Sequence, residues 1–182
     1  MVIIFGRSPF INEIKEYIPE LIKRHTTIGI NYFCNTYPDV DYVCFYDNIL
    51  PRVGHSTIIT SYKNIEKEPR NLIYSHPYEL YHIIKDDDKF SEEPNTLNFC
   101  VHTPSMALNW AYLKGYKEVV LAGVDLIPNT KHFDEDKLIF PKESIKRAKN
   151  HLETVATKYL KIYQLNPNSY LNLPKIKMED LL

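Results

Sequence analysis

Two short segments place a glycine and polar side chains directly behind an apolar run: Gly6-Arg7-Ser8 follows Val2-Ile3-Ile4-Phe5, and Gly123-Val124-Asp125 follows residues 118–122. Glycine admits a close approach of the backbone, the Arg7 guanidinium is a planar positive fork, and Ser8 can cap a helix or bind an oxygen. Free amides at a helix start behind this turn would favour a phosphate. The segment holds a single glycine, so it is neither the G-x-x-x-x-G-K-[ST] loop nor the G-x-G-x-x-G dinucleotide fingerprint. Thr103 and Ser105 sit at a predicted helix start, where hydroxyls bind an anion or a sugar, or simply cap the helix. His102 and His132 could serve as general bases near neutral pH. Asp134-Glu135-Asp136 matches the D-x-D pattern that carries a divalent ion, and carboxylates alone suit magnesium or manganese rather than zinc. Short acidic loops are more often just solvated, and Asp86-Asp87-Asp88 reads as one of these. The chain has no H-E-x-x-H spacing and no G-x-S-x-G elbow, which leaves zinc-protease and serine-hydrolase chemistry without a signature.

The elements that must position these groups follow from hydrophobic periodicity. The continuous apolar run 2–5 predicts a strand buried on both faces, as in a parallel sheet. Residues 10–24 predict a helix with Ile11, Ile14, Ile18, Leu21 and Ile22 on one face, where Pro19 marks a kink or a restart. Residues 28–31 and 41–46 predict two further strands, the second ending at Asp47. Residues 57–60 and 71–74 read as short strands, 77–84 as a helix with Pro77 in its first turn, and 85–95 as a charged loop. Thr103-Pro104 opens a helix with Met106, Trp110 and Leu113 at helical spacing, stopped by Gly115. A buried strand over 118–122 follows, then a polar loop over 126–141. Ile145, Ala148, Leu152, Val155 and Tyr159 mark an amphipathic helix, and 162–165 a last strand. Strands alternating with helices predict an α/β fold: a single Rossmann-like domain over residues 1–182, with a mainly parallel sheet flanked by helices. Ligands of open parallel sheets bind beyond the carboxyl ends of the strands. The expected site is therefore Gly6-Arg7-Ser8, Asn31, Asp47, Gly123-Val124-Asp125 and the helix start at Thr103.

Composition bounds the partners. The chain has 182 residues, enough for one domain, and 44% apolar content excludes a disordered chain. Its 22 Lys plus Arg balance 23 Asp plus Glu to a formal charge of −1, which argues against a broad basic surface for duplex nucleic acid. Cys34, Cys44 and Cys100 cannot all pair and form no C-x-x-C, so a reduced, cytoplasmic setting is expected. No signal peptide or membrane-spanning run is read from the sequence. Peripheral membrane association and self-association stay open.

The order of the motifs carries a family resemblance. VIIFGRSPFINEI resembles the VII-x-G-x-G-P-S-L-x-E-I opening of the family 42 bacterial sialyltransferases. Ile30-Asn31-Tyr32-Phe33 is similar to that family's C-N-x-F segment, and Phe45-Tyr46-Asp47 to its F-Y-N strand end. LKGYKEVVLAGVDL resembles its L-G-Y-K-E-I-x-L-x-G-I-D block, and YQLNPNSY (163–170) its Y-x-L-x-P-N-S segment. The five pieces share their order and cover most of the chain; G-Y-K-E-[VI] followed by G-[VI]-D is the most specific.

The resemblance implies a CMP-activated sugar donor, a sialic acid-type sugar transferred to a glycan acceptor, and no metal. By position, Gly6 and Ser8 would lie against the donor phosphate and Asn31 would contact the donor. Thr103 and Asp125 would flank the nucleoside, and Asn168-Ser169 would support the nucleotide end. The chain departs from the pattern at Arg7 and Ser8, where the family has Asn and Gly, at Asp47, where it has Asn, and at Ile127, where it has a phosphate-binding Tyr. The family's catalytic histidine belongs to a lid before the late helix; here residues 126–141 are only 16 residues, with Ile139 to Lys142 (IFPK) in the matching stretch. Expected roles are then His132 or Asp47 as base, with Arg7 holding the departing phosphate. Two alternatives stand beside this: a nucleotide or nucleotide-sugar binding protein without transferase activity, and a phosphate-transfer or hydrolytic enzyme in which Asp47, Asp125 and Asp134 bind magnesium.

Overall fold

The computed structural model describes residues 1–46, 53–61, 76–134 and 142–182. Eight strands form one sheet: β1 (Val2–Phe5), β2 (Thr26–Ile30), β3 (Tyr42–Cys44), β4 (Thr57–Ser61), β5 (Tyr78–Ile84), β6 (Thr96–Asn98), β7 (Glu118–Ala122) and β8 (Lys161–Gln164). Their order is β6-β5-β4-β3-β2-β1-β7-β8 and every pairing is parallel. Among the described residues the α-helices are α1 (Phe10–Glu13), α2 (Ile18–Arg24), α3 (Thr103–Leu113) and α4 (Lys142–Asn150).

The alternation within each strand explains the layers. In β1, Val2 and Ile4 join one core, with Ile28, Ile30, Cys44, Ile59, Val119 and Leu121, under Met106 and Trp110 of α3 and Ile145 and Ala148 of α4. Ile3 and Phe5 join the other, with Val43, Ile58, Val120 and Ala122, under Ile11, Ile18, Leu21 and Phe33. Side chains of a strand point to opposite faces in turn, so a run that is apolar at every position needs cover on both sides. β1 has it: all four of its residues are fully buried. Each such Ile or Phe contributes about 1.5–3 kcal/mol by leaving water.

The first helical stretch breaks in two, and Pro19 occupies the first turn of α2, where its missing N–H costs nothing. Gly115 ends α3 with φ +83°. The late helix changes at His151–Val155 to a π-helical turn and at Ala156–Lys158 to a 3₁₀ turn. One expectation is corrected: residues 77–84 are not a helix. Tyr78–Ile84 forms β5, whose backbone groups are taken by β4 on one side and β6 on the other. Pro77 fits in front of a strand as well as in a first helical turn, since its carbonyl accepts from Ile58 N–H at 2.9 Å and only its absent donor is constrained. The expected strand at 71–74 lies outside the described residues. β6 was not foreseen; Asn109 of α3 secures it, accepting from Ser91 N–H (2.9 Å) and Asn98 N–H (2.8 Å) and donating to Ser91 C=O (2.9 Å).

The chain lays down β1 to β6 in one direction and then returns to place β7 on the other side of β1. The carboxyl ends of β1 and β7 therefore meet at the reversal of strand order, where the diverging connections leave a crevice in sheets of this kind.

Candidate functional site

Asp125, just beyond β7, is the centre of the polar edge. It is 1% exposed. Its carboxylate accepts from the Ser8 hydroxyl, from Asn166 Nδ2 at 2.8 Å and from Gln164 Nε2 at 2.7 Å. Its carbonyl accepts from Tyr170 N–H (3.0 Å) and Ser169 Oγ (3.2 Å). One residue thus ties the turn after β1 to the loop after β8. Burial raises the Asp125 pKa above the ordinary carboxylate value, while the hydrogen bonds from Ser8 and Asn166 pull against it.

The turn after β1 is built by contact of two backbones. A Cβ on Gly6 would stand 2.3 Å from the Gly123 carbonyl oxygen, and Gly123 itself has φ +74°, so both positions require glycine. The Gly6 and Ser8 amides donate to Ala122 C=O (2.8 Å) and Gly123 C=O (3.0 Å). Those two amides are spent on the β7 backbone, and α1, only one turn long, starts without a side-chain cap. The group here that can meet an anion is Arg7. Its guanidinium donates through Nε (3.1 Å) and Nη2 (2.7 Å) to Asp134 Oδ1 and lies 5.2 Å from the centre of the Tyr32 ring.

Tyr32 follows Asn31, the first residue after β2, whose φ is +53°. Asn31 Oδ1 accepts from Thr103 Oγ1 at 3.3 Å. A continuous polar edge results: Thr103, Asn31, Arg7, Ser8, Asp125 and Ser169 follow one another across the carboxyl ends of β2, β1, β7 and β8. Asn168 is exposed in the β8 loop, with its N–H on Asn166 Oδ1 (2.9 Å). His132 is half-buried beside Phe133, whose N–H donates to the Arg7 carbonyl at 2.9 Å. Asp47 lies outside the described residues, as do Glu135, Asp136 and residues 139–141.

Ser105 and His102 face inward. Ser105 Oγ donates to His102 C=O (2.7 Å) and accepts from Cys100 N–H (2.8 Å), so that hydroxyl is consumed within the helix start. The N-cap of α3 is His102 rather than Thr103: its Nδ1 accepts from Ser105 N–H at 3.2 Å, which fixes the proton on Nε2. His102 is 1% exposed, too buried to reach a substrate as a base. Burial, aided by the neighbouring His151, pushes its pKa down to about 3, and burial also lowers that of His151. An unfolded histidine titrates near 6.5. Below that value the unfolded chain binds the proton that the folded one refuses, so stability is complete above pH 6.5 and falls as pH drops toward 3. From pH 7 to 5, His102 alone is expected to remove about 2 kcal/mol. Urea melts at pH 5, 6 and 7 check this: His102→Asn, which keeps the cap, should flatten the slope by about that amount, and an unchanged slope would exclude His102 as its source.

Asp125 and Asp134 are thus engaged with donors on separate parts of the edge. Among the described residues no three His, Cys, Asp or Glu side chains form a group that could hold a metal ion. Reading the sequence missed Gln164, Asn166 and the Arg7–Asp134 pair. Gln164 and Asn166 left a signal: polar side chains at the end of an apolar strand, where burial demands a partner.

This sheet and its flanking helices define a glycosyltransferase-like α/β fold. It is shared at 16% identity and a TM-score of 0.69 with the MAf glycosyltransferase from Magnetospirillum magneticum AMB-1, over 96% of this chain and 33% of that one. The chain therefore spans about a third of that enzyme. Two structures of the sialyltransferase CST-II align more loosely. One is in complex with a trisaccharide acceptor and CMP (TM-score 0.48, 16% identity), and the other is the Y81F variant with CMP (0.47, 15%). Each alignment covers 93% of this chain and 82% of the other. No family model and no curated protein sequence matches. Among the described residues no helix is long and apolar enough to cross a membrane.

Proposed function

We propose that this chain binds a CMP-activated sugar along the β2–β1–β7–β8 edge and transfers its sialic acid-type sugar to a glycan hydroxyl. The observation that carries the reading is the continuity of that edge. Residues that match the family 42 motifs, far apart in sequence, adjoin at the reversal of strand order, and the fold is that of a known glycosyltransferase. In this reading Asn31 and Thr103 meet the nucleoside side of the donor, and Ser169 and Asn168 support the nucleotide end. Gly6 holds the turn after β1 against Gly123, which sets Arg7 and Ser8 at the edge. The acceptor oxygen attacks the anomeric carbon as the bond to the phosphate oxygen breaks; CMP leaves with the electron pair, Arg7 balances its charge, and the acceptor proton passes to His132 or Asp47. No metal is required for these steps.

A nucleotide-sugar binding protein without transfer activity is the second reading. It is favoured by the short 126–141 segment, in which His132 is the sole histidine. Thermal shifts with CMP, UMP and AMP, with and without magnesium or manganese, test the site. A ligand at 100 times its Kd adds about 2.7 kcal/mol of apparent stability. A shift with CMP alone is expected, and no shift with any nucleotide overturns both readings. A shift that requires the metal points instead to the phosphate-transfer alternative. Sugar release from CMP-sialic acid, lost on His132→Ala, distinguishes enzyme from binder; unchanged release removes His132 as the base.

A further inference from the structure

We propose that the anion site at Arg7 is occupied by the protein's own Asp134, so that a phosphate ligand binds by displacing this carboxylate. The inference rests on the reading that the ligand's phosphate lies at Arg7. Arg7 stands at the carboxyl end of β1, and its side chain is only 7% exposed, with that of Asp134 at 18%. Nε and Nη2 both donate to one oxygen, Asp134 Oδ1, at 3.1 and 2.7 Å. These are the fork positions that a phosphate oxygen takes on a guanidinium. The Tyr32 ring centre lies 5.2 Å from the guanidinium carbon, and guanidinium N–H groups point outward in the plane, so an anion binds at the edge, where Asp134 sits.

Asp134 is held there by its neighbour. Phe133 N–H donates to the Arg7 carbonyl at 2.9 Å, and its ring packs 6.1 Å from Phe33 and 6.4 Å from Tyr37. Phe33 stacks in turn on Phe5 of β1 at 4.9 Å. The carboxylate is therefore tethered to the same strand that carries the guanidinium, and it competes as an intramolecular ligand rather than as a dilute one. Such a pair does two things. It neutralises a largely buried cation while the site is empty, and it lowers apparent affinity by the fraction of molecules in which Arg7 is released.

Calorimetric titration of the full chain with CMP and, separately, with inorganic phosphate tests the proposal on three proteins: the native chain, Asp134→Asn and Arg7→Gln/Asp134→Asn. Asn keeps the shape of the side chain and removes its charge. With Arg7 released in about a tenth of the molecules, Asp134→Asn is expected to bind both ligands about tenfold more tightly. The gain should vanish in the double variant. Amide exchange at Phe133 and Asp134 should quicken when either ligand saturates the native chain. Equal or weaker binding of CMP by Asp134→Asn overturns the competition and leaves the CMP site standing. Tighter phosphate binding without any CMP binding supports the competition and overturns the nucleotide reading. Absence of binding by either ligand to every variant overturns both.

Discussion

Replacing Asp125 by Ala is expected to lower folding stability by about 3–4 kcal/mol and to abolish CMP binding. The carboxylate accepts from Ser8, Gln164 and Asn166. Ser8 and Gln164 are 1% and 0% exposed, and Asn166 is 5% exposed, so all three donors are buried. A buried donor left without an acceptor costs about 1–3 kcal/mol. Water entering the vacated space and relief of a buried charge recover part of the sum. Asp125→Asn should cost less, about 1–3 kcal/mol, because its one oxygen can keep Ser8 and Asn166 while its amide faces the single donor Gln164 Nε2. The pH response separates the two effects. The Asp125 pKa is raised in the fold by burial, so its share of stability is full below the ordinary carboxylate value and is lost as pH rises through the raised one. Urea melts of both variants from pH 4 to 7 should show that share missing from each. A cost for Asp125→Ala no larger than that for Asp125→Asn would mean that the three donors find other partners.

Gly6→Ala is the second large effect: about 3 kcal/mol with loss of binding at the same edge. The added Cβ would meet the Gly123 carbonyl oxygen at 2.3 Å and carbon at 2.7 Å, and Val124 Cγ2 at 2.7 Å. Overpacking against a flexible side chain is relieved by a rotamer change, but two of these contacts are main chain. Relief requires β1 and β7 to separate at their carboxyl ends, where Gly6 N–H and Ser8 N–H donate to Ala122 and Gly123. Those are the ends that bring Ser8 to Asp125. Stability and CMP affinity should therefore fall together in Gly6→Ala, and a variant with native melting temperature and native affinity would show that the strands part at no cost.

The two substitutions also show where a sequence can be read and where it cannot. Gly6, Ser8 and Asp125 were legible as polar or glycine positions behind apolar runs, because a buried strand announces itself within four or five residues. Asn31 was legible for the same reason and Thr103 as a helix start, and their hydrogen bond joins two of the expected positions. Ser105 and His102 also stand at a helix start, but nothing local tells a hydroxyl or imidazole turned toward a ligand from one turned into its own cap. Asp134 shows the same limit: in sequence it belonged to an acidic triplet suited to a cation, yet it sits on a guanidinium. β5 was misread as helix because Pro77 satisfies the start of either element.

By itself the sequence determined that residues 2–5 and 118–122 are strands buried on both faces; the register of β1 with β7 then put Val2, Ile4, Val119 and Leu121 in one core and Ile3, Phe5, Val120 and Ala122 in the other. It also marked the residues that follow β1, β2 and β7. Only the tertiary structure decided which ends meet. The contacts that build the polar edge join Ser8 to Asp125 across 117 positions, Arg7 to Asp134 across 127 and Asn31 to Thr103 across 72. The closeness of the first two pairs depends on β7 returning to the open side of β1 rather than continuing beyond β6. Strand periodicity is a local property, whereas the choice of sheet edge is settled by the packing of whole layers, and no short stretch of sequence encodes it.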